Sequence, residues 1–515
     1  MNPIKPTRVA LAVVTALTLT GCSSLTPAPL TKDLLAQQGS LDKSVALVEV
    51  EPLAGELTLE QAQARALKYN LDRRAKMMEE ALALKQFDIS RYDLLPKLLT
   101  QAGYTSRNND PINQSRNSDT GQPSPSRFIS QERNHIVGGL DLSWNLLDLG
   151  VGYYNTKQQA NRALIAAEKR RKAMHLLMQD VRTAFWRAAS AQKLQGEVTA
   201  AIATAEAALA DSRKVEAERL RNPVDALRYQ RQLLENLRLL EAIDQELSIA
   251  HVELASLINA PVGQPIKLQE PPMSVDRSVL DIPVETMEET AMVANADVRE
   301  QHYNARIARD ETRKTLVRLF PGLNFSYGPK YDTDDFLVNN NWREASLSLS
   351  YNLINLVTGP SQMKLAEAGV SLADQRRVAM QMAVVAQVHL GRLQLINTLK
   401  QFDRADAIWN TDKRIAEHVR NRDAARTQSK LDLVANQTSA ILSLLRRYQA
   451  LAQAQGAEAR LQATLGVEPE IASVSETSVD ELAATLRNGD GWSRLVSPAV
   501  QADPAAQPGQ LAVQY

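Results

Sequence analysis

One unit of sequence occurs twice in this chain, and the repetition limits the possible folds more than any other feature. Asn70 and Asn295, at an offset of 225, each end a helical pattern. Further along, residues 142–149 (LSWNLLDL) match residues 349–356 (LSYNLINL) at an offset of 207. Other matched pairs at these offsets are Pro96 with Pro321, Asp225 with Asp432, and Leu254 with Leu461. The chain is therefore two copies of one unit of roughly 200 residues, which we place at residues 57–270 and 271–470.

The change of offset locates an insertion in the first copy. It lies between Pro96 and Leu142 and contains the polar stretch from Arg107 to Arg133. A run rich in Asn, Ser, Pro and Asp favours turns over regular structure. We therefore predict an extended loop there.

Each copy begins with two helices. Thr58 and Gln61 form a capping-box pattern for a short helix that ends at Asn70. A second helix follows and stops before Pro96, because the residue before a proline disfavours the helical region.

Two strands separated by a loop are predicted after these helices. In the second strand Leu140, Leu142, Trp144 and Leu146 alternate with polar residues, and Leu347, Leu349, Tyr351 and Leu353 do so in the second copy. Phe325 and Tyr327 lie in the partner strand, between Asn324 and Ser326. A transmembrane β-barrel requires this alternation, but a half-buried strand of a soluble sheet shows it too. The strands alone leave both open.

A very long helical region follows each strand pair. From Gly152 to about Arg221 it covers roughly 70 residues, about 100 Å at 1.5 Å per residue. Apolar residues recur in steps of three and four, at Leu177, Val181, Ala184, Ala188 and Ala191, and at matching positions of the return segments. This spacing predicts helices that pack lengthwise, and the alanines allow close approach. An ordinary coiled coil has the same pattern.

The N-terminal residues have the character of a secretory signal. Lys5 and Arg8 precede the short apolar run Val9 to Leu19, which is too short to span a bilayer. The following Leu19-Thr20-Gly21-Cys22 resembles a bacterial lipobox, so we expect a signal peptide at 1–21, lipidation of Cys22 and a lipid-anchored linker at 22–56. Ser23 after the cysteine favours, by resemblance, sorting to the outer membrane. Residues 471–515 show no clear periodicity and are predicted to be a flexible tail.

Charge and motif content argue against an enzyme or a nucleic-acid-binding protein. The chain has 59 basic and 59 acidic residues, without the basic excess of polyanion binders. Its six histidines are scattered, and Asn155 stands where a dinucleotide loop starting at Gly150 would need its third glycine. We therefore expect no catalytic residue, cofactor or metal.

Four strands cannot close a barrel, since outer-membrane barrels need about eight or more. If these strands span a membrane, other copies of the chain must complete the wall, and closure implies cyclic symmetry. Two copies would supply eight strands and three would supply twelve; the arithmetic does not choose between them.

Several of these features together resemble the TolC family of outer-membrane factors. They are the lipobox, the duplicated unit, the Asn70/Asn295 helix ends, the Pro96/Pro321 positions, the Leu-Ser-aromatic-Asn-Leu strand ends, and Asp225/Asp432 in the hairpin turns. The resemblance covers about residues 57–470. It implies a mostly α fold with β-barrel strands: a homotrimer whose 12-stranded β-barrel is continued by an α-helical barrel through the periplasm. It also implies a periplasmic adaptor and an inner-membrane pump as partners.

The hairpin ends depart from the family pattern. Members commonly carry glycine six residues before the turn aspartate, whereas this chain has Arg219 and Arg426 before Asp225 and Asp432. In the family a second aspartate often follows three residues after the first, but this chain has Arg228 and Ala435 at those positions. We hypothesise that the aspartates pair with arginines to gate the periplasmic opening, which would meet a non-standard adaptor. Solvated arginines and aspartates that only cap helices are the simpler alternative.

The leading functional prediction is a passive outer-membrane exit duct of a tripartite efflux pump. The alternatives are a duct for type I protein or polysaccharide secretion, and a lipid-anchored periplasmic coiled-coil scaffold without a pore. The predicted lipid-facing residues of the barrel are Leu142, Trp144, Phe325, Tyr327, Leu349 and Tyr351. The resemblance implies that the pump selects the cargo, so these residues do not identify the substrate; neighbouring genes would divide efflux from secretion.

Overall fold

The computed structural model describes residues 29–48, 50–53, 55–218, 223–264, 266–270, 277–424, 430–467, 474 and 477–488. It divides into two compact units, Met1–Glu51 and Pro52–Tyr515. The described part of the first unit contains helix α1 (Lys32–Leu47), which is capped by Thr31 and buries none of its residues. The predicted signal peptide and Cys22 lie outside the described residues.

The second unit contains both copies of the repeat. The first copy comprises α2 (Leu59–Tyr69), α3 (Leu71–Ser90), β1 (Lys97–Ser106), β2 (Ile112–Arg116), β3 (Pro123–Ile129), β4 (Asn134–Asn145), α4 (Leu146–Ala217) and α5 (Pro223–Leu257). The second copy comprises α6 (Val284–Ala294), α7 (Ala296–Arg318), β5 (Gly322–Asp332), β6 (Asn341–Ser350), α8 (Asn355–Ala424) and α9 (Lys430–Leu465). Helix α10 (Val479–Asn488) follows.

The structural elements repeat at the offsets found in the sequence. Strands β1 and β5 begin at Lys97 and Gly322, which is the first offset, and β4 and β6 begin at Asn134 and Asn341, which is the second. The ends of helices α4 and α8, Ala217 and Ala424, are also related by the second offset. The predicted internal duplication and long helices are therefore confirmed.

Four of the strands form one antiparallel sheet in the order β1-β4-β5-β6. Leu142 lies opposite Leu98 on one side and Tyr327 on the other, and Trp144 lies opposite Phe325. Strand β4 ends at Asn145 because its Oδ1 accepts hydrogen bonds from the backbone N–H groups that begin α4, at 2.9 and 3.2 Å.

The prediction of an extended loop at 107–133 is wrong in part. Strands β2 and β3 form a separate antiparallel hairpin there, with Ile112 opposite Ile129. Its turn is closed by Asn117, whose Oδ1 accepts the N–H of Asp119 at 2.8 Å, and by Gly121 at φ 67°. Such local turn chemistry stabilises a polar hairpin that the hydrophobic pattern does not indicate.

The long helices pack along one another as predicted. The α4 positions stepping by three and four from Leu177 to Ala191 are buried, and so are Leu240 to Leu254 of α5 and Ala450 to Leu461 of α9 at the same spacing. Burying a leucine side chain contributes roughly 1.5–3 kcal/mol. These seams hold each hairpin together. No helix in the described residues is both long enough and apolar enough to cross a membrane.

The predicted flexible tail contains helix α10, so that prediction is wrong for residues 479–488. Val479, Leu482 and Ala483 are buried, at the i, i+3, i+4 spacing of one helix face. The helix packs against α2, where Gln61 Nε2 donates to Asp480 Oδ1 at 2.9 Å. The helix is too short for its apolar periodicity to stand out in the sequence next to the proline-containing residues that follow it.

Candidate functional site: the sheet faces and the hairpin ends

One face of the four-stranded sheet, the apolar face, carries most of its large apolar side chains, and Leu99, Val137 and Trp342 lie on the other face. Directly opposite residues of neighbouring strands point to the same side of a sheet, so the register assigns each residue to a face. The members are Leu98, Tyr104, Ile136, Leu140, Leu142, Trp144, Leu323, Phe325, Tyr327, Tyr331, Leu347 and Leu349.

These side chains are uncovered within the chain. Among the predicted lipid-facing residues of the strands, exposure runs from 39% at Leu142 to 69% at Leu349, with Trp144, Phe325 and Tyr327 in between. The structure brings these five onto the apolar face. Tyr351 lies just past the end of β6 and is 36% exposed. A soluble sheet would bury this face against a second layer.

The opposite face of the sheet is mostly polar, and in the central strands β4 and β5 it is the more enclosed face. Lys330 Nζ and Asp141 Oδ2 form an ion pair at 2.5 Å, with side chains only 14% and 20% exposed. Ser143 donates to Asn324 Oδ1 at 3.2 Å, and the hydroxyls of Ser326 and Ser346 lie 2.7 Å apart. Each of these polar groups has a partner on this face, so the usual inside–outside distribution of a sheet is inverted.

Strands β1 and β6 are the edges of the sheet. All three pairings are antiparallel, so in a sheet of four the two edge strands run in opposite directions. When copies are placed side by side, β6 of one copy therefore lies antiparallel to β1 of the next. Unpaired edge groups are a template for pairing of this kind.

The hairpin ends contain the predicted gate residues. Asp225 lies in the first turn of α5, where a carboxylate interacts favourably with the helix dipole. Its Oδ1 is 3.9 Å from Arg228 Nη1, and both side chains are well exposed, so this ion pair contributes little stability. Arg219 and Arg426 lie outside the described residues. Asp432 is in the first turn of α9, but its side chain is also outside them.

Two features that position the helices were missed by the sequence reasoning. Asn70 and Asn295 do more than end helices: each side chain caps the next helix and donates to the last turn of a return helix. Gln192 of α4 pairs with both backbone groups of Leu268, at 2.9 and 2.8 Å, as a strand would. The repeated Asn was a signal for the first feature, but nothing in the sequence marked the second.

The described residues contain no group of three or more His, Cys, Asp or Glu side chains arranged to hold a metal ion. His389 instead lies 2.6 Å from Glu288 Oε1. Asn155, the residue in place of the dinucleotide-loop glycine, accepts from Lys314 Nζ at 3.1 Å. These polar groups are engaged in helix packing.

Comparison with known proteins identifies the fold. No protein-family model matches the chain, and no curated protein matches its sequence. The outer-membrane channel OprN superposes with a TM-score of 0.60 at 14% identity, covering 79% of this chain and 89% of OprN. The CmeC outer membrane channel of Campylobacter jejuni gives 0.59 at 12% identity, covering 90% and 97%. The open MtrE channel of Neisseria gonorrhoeae gives 0.58 at 15%, covering 81% and 94%.

The chain thus has the outer-membrane factor fold that the TolC-family resemblance implied. It shares this fold over nearly the whole length of the solved channels, although few of its residues are identical to theirs.

Proposed function

We propose that this chain is the subunit of an outer-membrane channel, which serves as the passive exit duct of a tripartite efflux pump. Three copies would contribute four strands each to a closed barrel of twelve. The helical hairpins would continue the wall through the periplasm, toward a periplasmic adaptor and an inner-membrane pump. Cargo would pass through the lumen without covalent chemistry.

The single observation that carries the proposal is the inverted sheet. Its apolar face is exposed while its polar face, with the Lys330–Asp141 pair, is the more enclosed one. A sheet in contact with lipid outside and water inside requires this arrangement. The open antiparallel edges supply the means of closure, since a barrel is the only sheet that leaves no edge within a bilayer.

The scaffold without a pore is less well supported. A soluble coiled-coil protein gains nothing from an uncovered apolar sheet, which would promote aggregation. Efflux, rather than secretion, is the more specific part of the proposal.

The test is conductance of the purified protein in planar lipid bilayers. Discrete steps, together with trimers on gels that dissociate on heating, are the expected result. A soluble monomer with no conductance after delipidation would contradict the channel and favour the scaffold. Mass spectrometry of the mature N-terminus would test the proposed lipid on Cys22.

The proposed gate at the hairpin ends can be tested separately. We expect Arg219→Gly combined with Arg426→Gly to change both channel conductance and adaptor binding, because Asp225 and Asp432 would lose their proposed partners. Arg219→Gln with Arg426→Gln would separate loss of charge from added backbone freedom. Unchanged conductance and adaptor binding in the glycine variant would show that these arginines are merely solvated.

A further inference from the structure

Apolar residues extend from the sheet onto the first turns of the helices below it. Leu146 and Tyr153 of α4 are 60% and 49% exposed, and Phe320, just after α7, is 60% exposed. At 100° per residue, Leu146, Tyr153 and Lys157 fall within about 40° of one another around α4. Exposed tyrosine and phenylalanine at the end of an apolar band are typical of a membrane–water interface.

Basic residues follow directly beneath these apolar ones. Lys157 is one helical turn past Tyr153, roughly 6 Å along the axis. On α7, Arg306, Arg309 and Arg313 lie along one face within about 60°, and Phe320 follows the end of this helix. These stripes line a common groove of about 460 Å³ between α4 and α7, which we call the basic groove; it is bordered by Lys157, Asn161, Arg306, Arg309, Asp310 and Arg313.

Carboxylates balance only two of the four positive charges of the basic groove. Arg309 pairs with Asp374 at 2.9 Å and Arg313 with Asp310 at 3.6 Å. Within the described residues Lys157 and Arg306 form no ion pair with a carboxylate; each lies over a tyrosine ring, at 5.2 and 5.5 Å. Two cations are therefore available to an anionic ligand.

His302, which lies next to the basic groove, is affected by the same positive charges. Burial lowers the pKa of His302, and the charges of nearby arginines, including Arg306 and Arg309, lower it further. His302 is one turn below Arg306 on the same face of α7.

The basic groove continues the apolar face of the sheet. Leu146 follows Leu142 and Trp144 in the alternation of β4, and Lys157 lies within about 20° of Leu146 around α4. If the apolar face contacts lipid, the groove therefore opens on the same, outer side of the helical layer.

We propose that the basic groove binds the phosphate of an anionic phospholipid in the inner leaflet of the outer membrane. This inference rests on the proposed function, because it requires the apolar face to lie in the bilayer. The headgroup would lie between Lys157 and Arg306, and the acyl chains would extend upward past Tyr153 and Phe320. Basic pockets between helices at a membrane surface recognise headgroups in this way.

The test measures lipid binding to the purified, detergent-solubilised protein by native mass spectrometry, with phosphatidylglycerol and phosphatidylcholine as the two lipids. The variant Lys157→Gln/Arg306→Gln should bind phosphatidylglycerol roughly 30-fold more weakly. The control Arg162→Gln/Lys364→Gln removes two other exposed charges and should bind as the wild type does. Phosphatidylcholine should bind more weakly than phosphatidylglycerol to the wild type and equally to all variants.

Three results would overturn the inference. The groove variant could bind phosphatidylglycerol as the control does, phosphatidylcholine could bind as tightly, or millimolar inorganic phosphate could displace the lipid, which would indicate a site for free anions. Bilayer conductance of the groove variant distinguishes this from failure of the channel itself. Normal conductance with unchanged lipid binding contradicts the groove alone, whereas absence of conductance in the wild type contradicts the proposed function.

Discussion

Asn295 Nδ2 donates a hydrogen bond to the backbone carbonyl of Thr464 at 2.8 Å, across 169 residues of chain. In the first copy Asn70 Nδ2 donates to the carbonyl of Leu257 at 3.1 Å. Both asparagines are buried, and each side-chain oxygen caps the helix that follows. The same residue therefore turns one helix into the next and ties that corner to the end of the return helix.

Replacing this asparagine separates the two roles. Asn295→Ala removes the cap and leaves the Thr464 carbonyl without its partner, so we expect a loss of about 2 kcal/mol in unfolding free energy. Asn295→Asp keeps the cap but places a carboxylate against that carbonyl. Thermal unfolding is measured by circular dichroism. If the aspartate variant unfolds at the wild-type temperature, the cap alone stabilises the protein and the hydrogen bond to the Thr464 carbonyl does not.

The return helices end in a second repeated device. Asn259 and Gly466 are matched positions of the two copies, and both have positive φ, 52° and 69°. The next residues, Ala260 and Val467, donate to the carbonyls of Ala255 and Gln462, at 2.8 and 3.2 Å. This is the hydrogen-bond pattern of a helix end closed by a left-handed residue.

Gly466→Ala should therefore destabilise the protein by about 1–2 kcal/mol, because an alanine at positive φ is strained. Its Cβ would also overlap the Ala294 carbonyl oxygen. The matched control is Gly456→Ala within α9, where a Cβ would meet only Thr183 at 3.9 Å; it should be neutral or stabilising by up to about 1 kcal/mol. Equal thermal unfolding temperatures for the two variants would contradict this account.

Much of the fold could be predicted because its signals are periodic. From Leu177 to Ala191 the apolar residues keep the three-and-four spacing of helices that pack lengthwise. Because the unit is duplicated, each such pattern is seen twice in the chain. The β2–β3 hairpin could not be found this way, since Asn117 and Gly121 stabilise it by local turn geometry. Helix α10 escaped detection because its buried face consists of three residues.

The candidate surfaces were predictable to different degrees. Alternation placed Leu142 and Trp144 on one face, but a strand of a soluble sheet alternates too. Only the exposure of the apolar side chains and the enclosed Lys330–Asp141 pair distinguish a barrel strand from a soluble one. The basic groove depends on Lys157 and Arg306, which lie in different copies of the repeat. Their proximity follows from the packing of α4 on α7, which no short sequence window contains.

A close approach between two strands of the sheet can be tested at Gly328. A Cβ at this position would overlap the carbonyl oxygen of Leu140 on the neighbouring strand, whereas a Cβ at Gly138 would meet nothing within 4 Å. We therefore expect Gly328→Ala to push β4 and β5 apart and to lower the temperature at which oligomers dissociate on gels. Gly138→Ala should leave that temperature unchanged, and an equal decrease in both variants would argue against the steric cause.

Asp180 of α4 supplies a prediction for pH. Burial raises its pKa, and the negative charge of Glu253 raises it further. A group with a raised pKa in the folded state loses its stabilising contribution as pH rises through that value. Asp180→Asn should therefore unfold at a higher temperature than the wild type at pH 7, with the difference vanishing below about pH 4. The exposed control Asp211→Asn should not reproduce this pH dependence; a difference that persists at low pH would indicate another cause.

Neighbouring residues of β4 test the orientation of the sheet itself. Leu142 lies on the apolar face and Ser143 on the polar face, where its hydroxyl bonds to Asn324. Arginine on the lipid side of a barrel costs about 2–4 kcal/mol near the bilayer midplane, whereas lumen positions tolerate it. We expect Leu142→Arg to abolish heat-sensitive oligomers in outer-membrane fractions, and Ser143→Arg to retain them while shifting ion selectivity in planar bilayers. If Ser143→Arg blocked assembly and Leu142→Arg did not, the faces would be reversed. If both assembled equally, the sheet would not contact lipid.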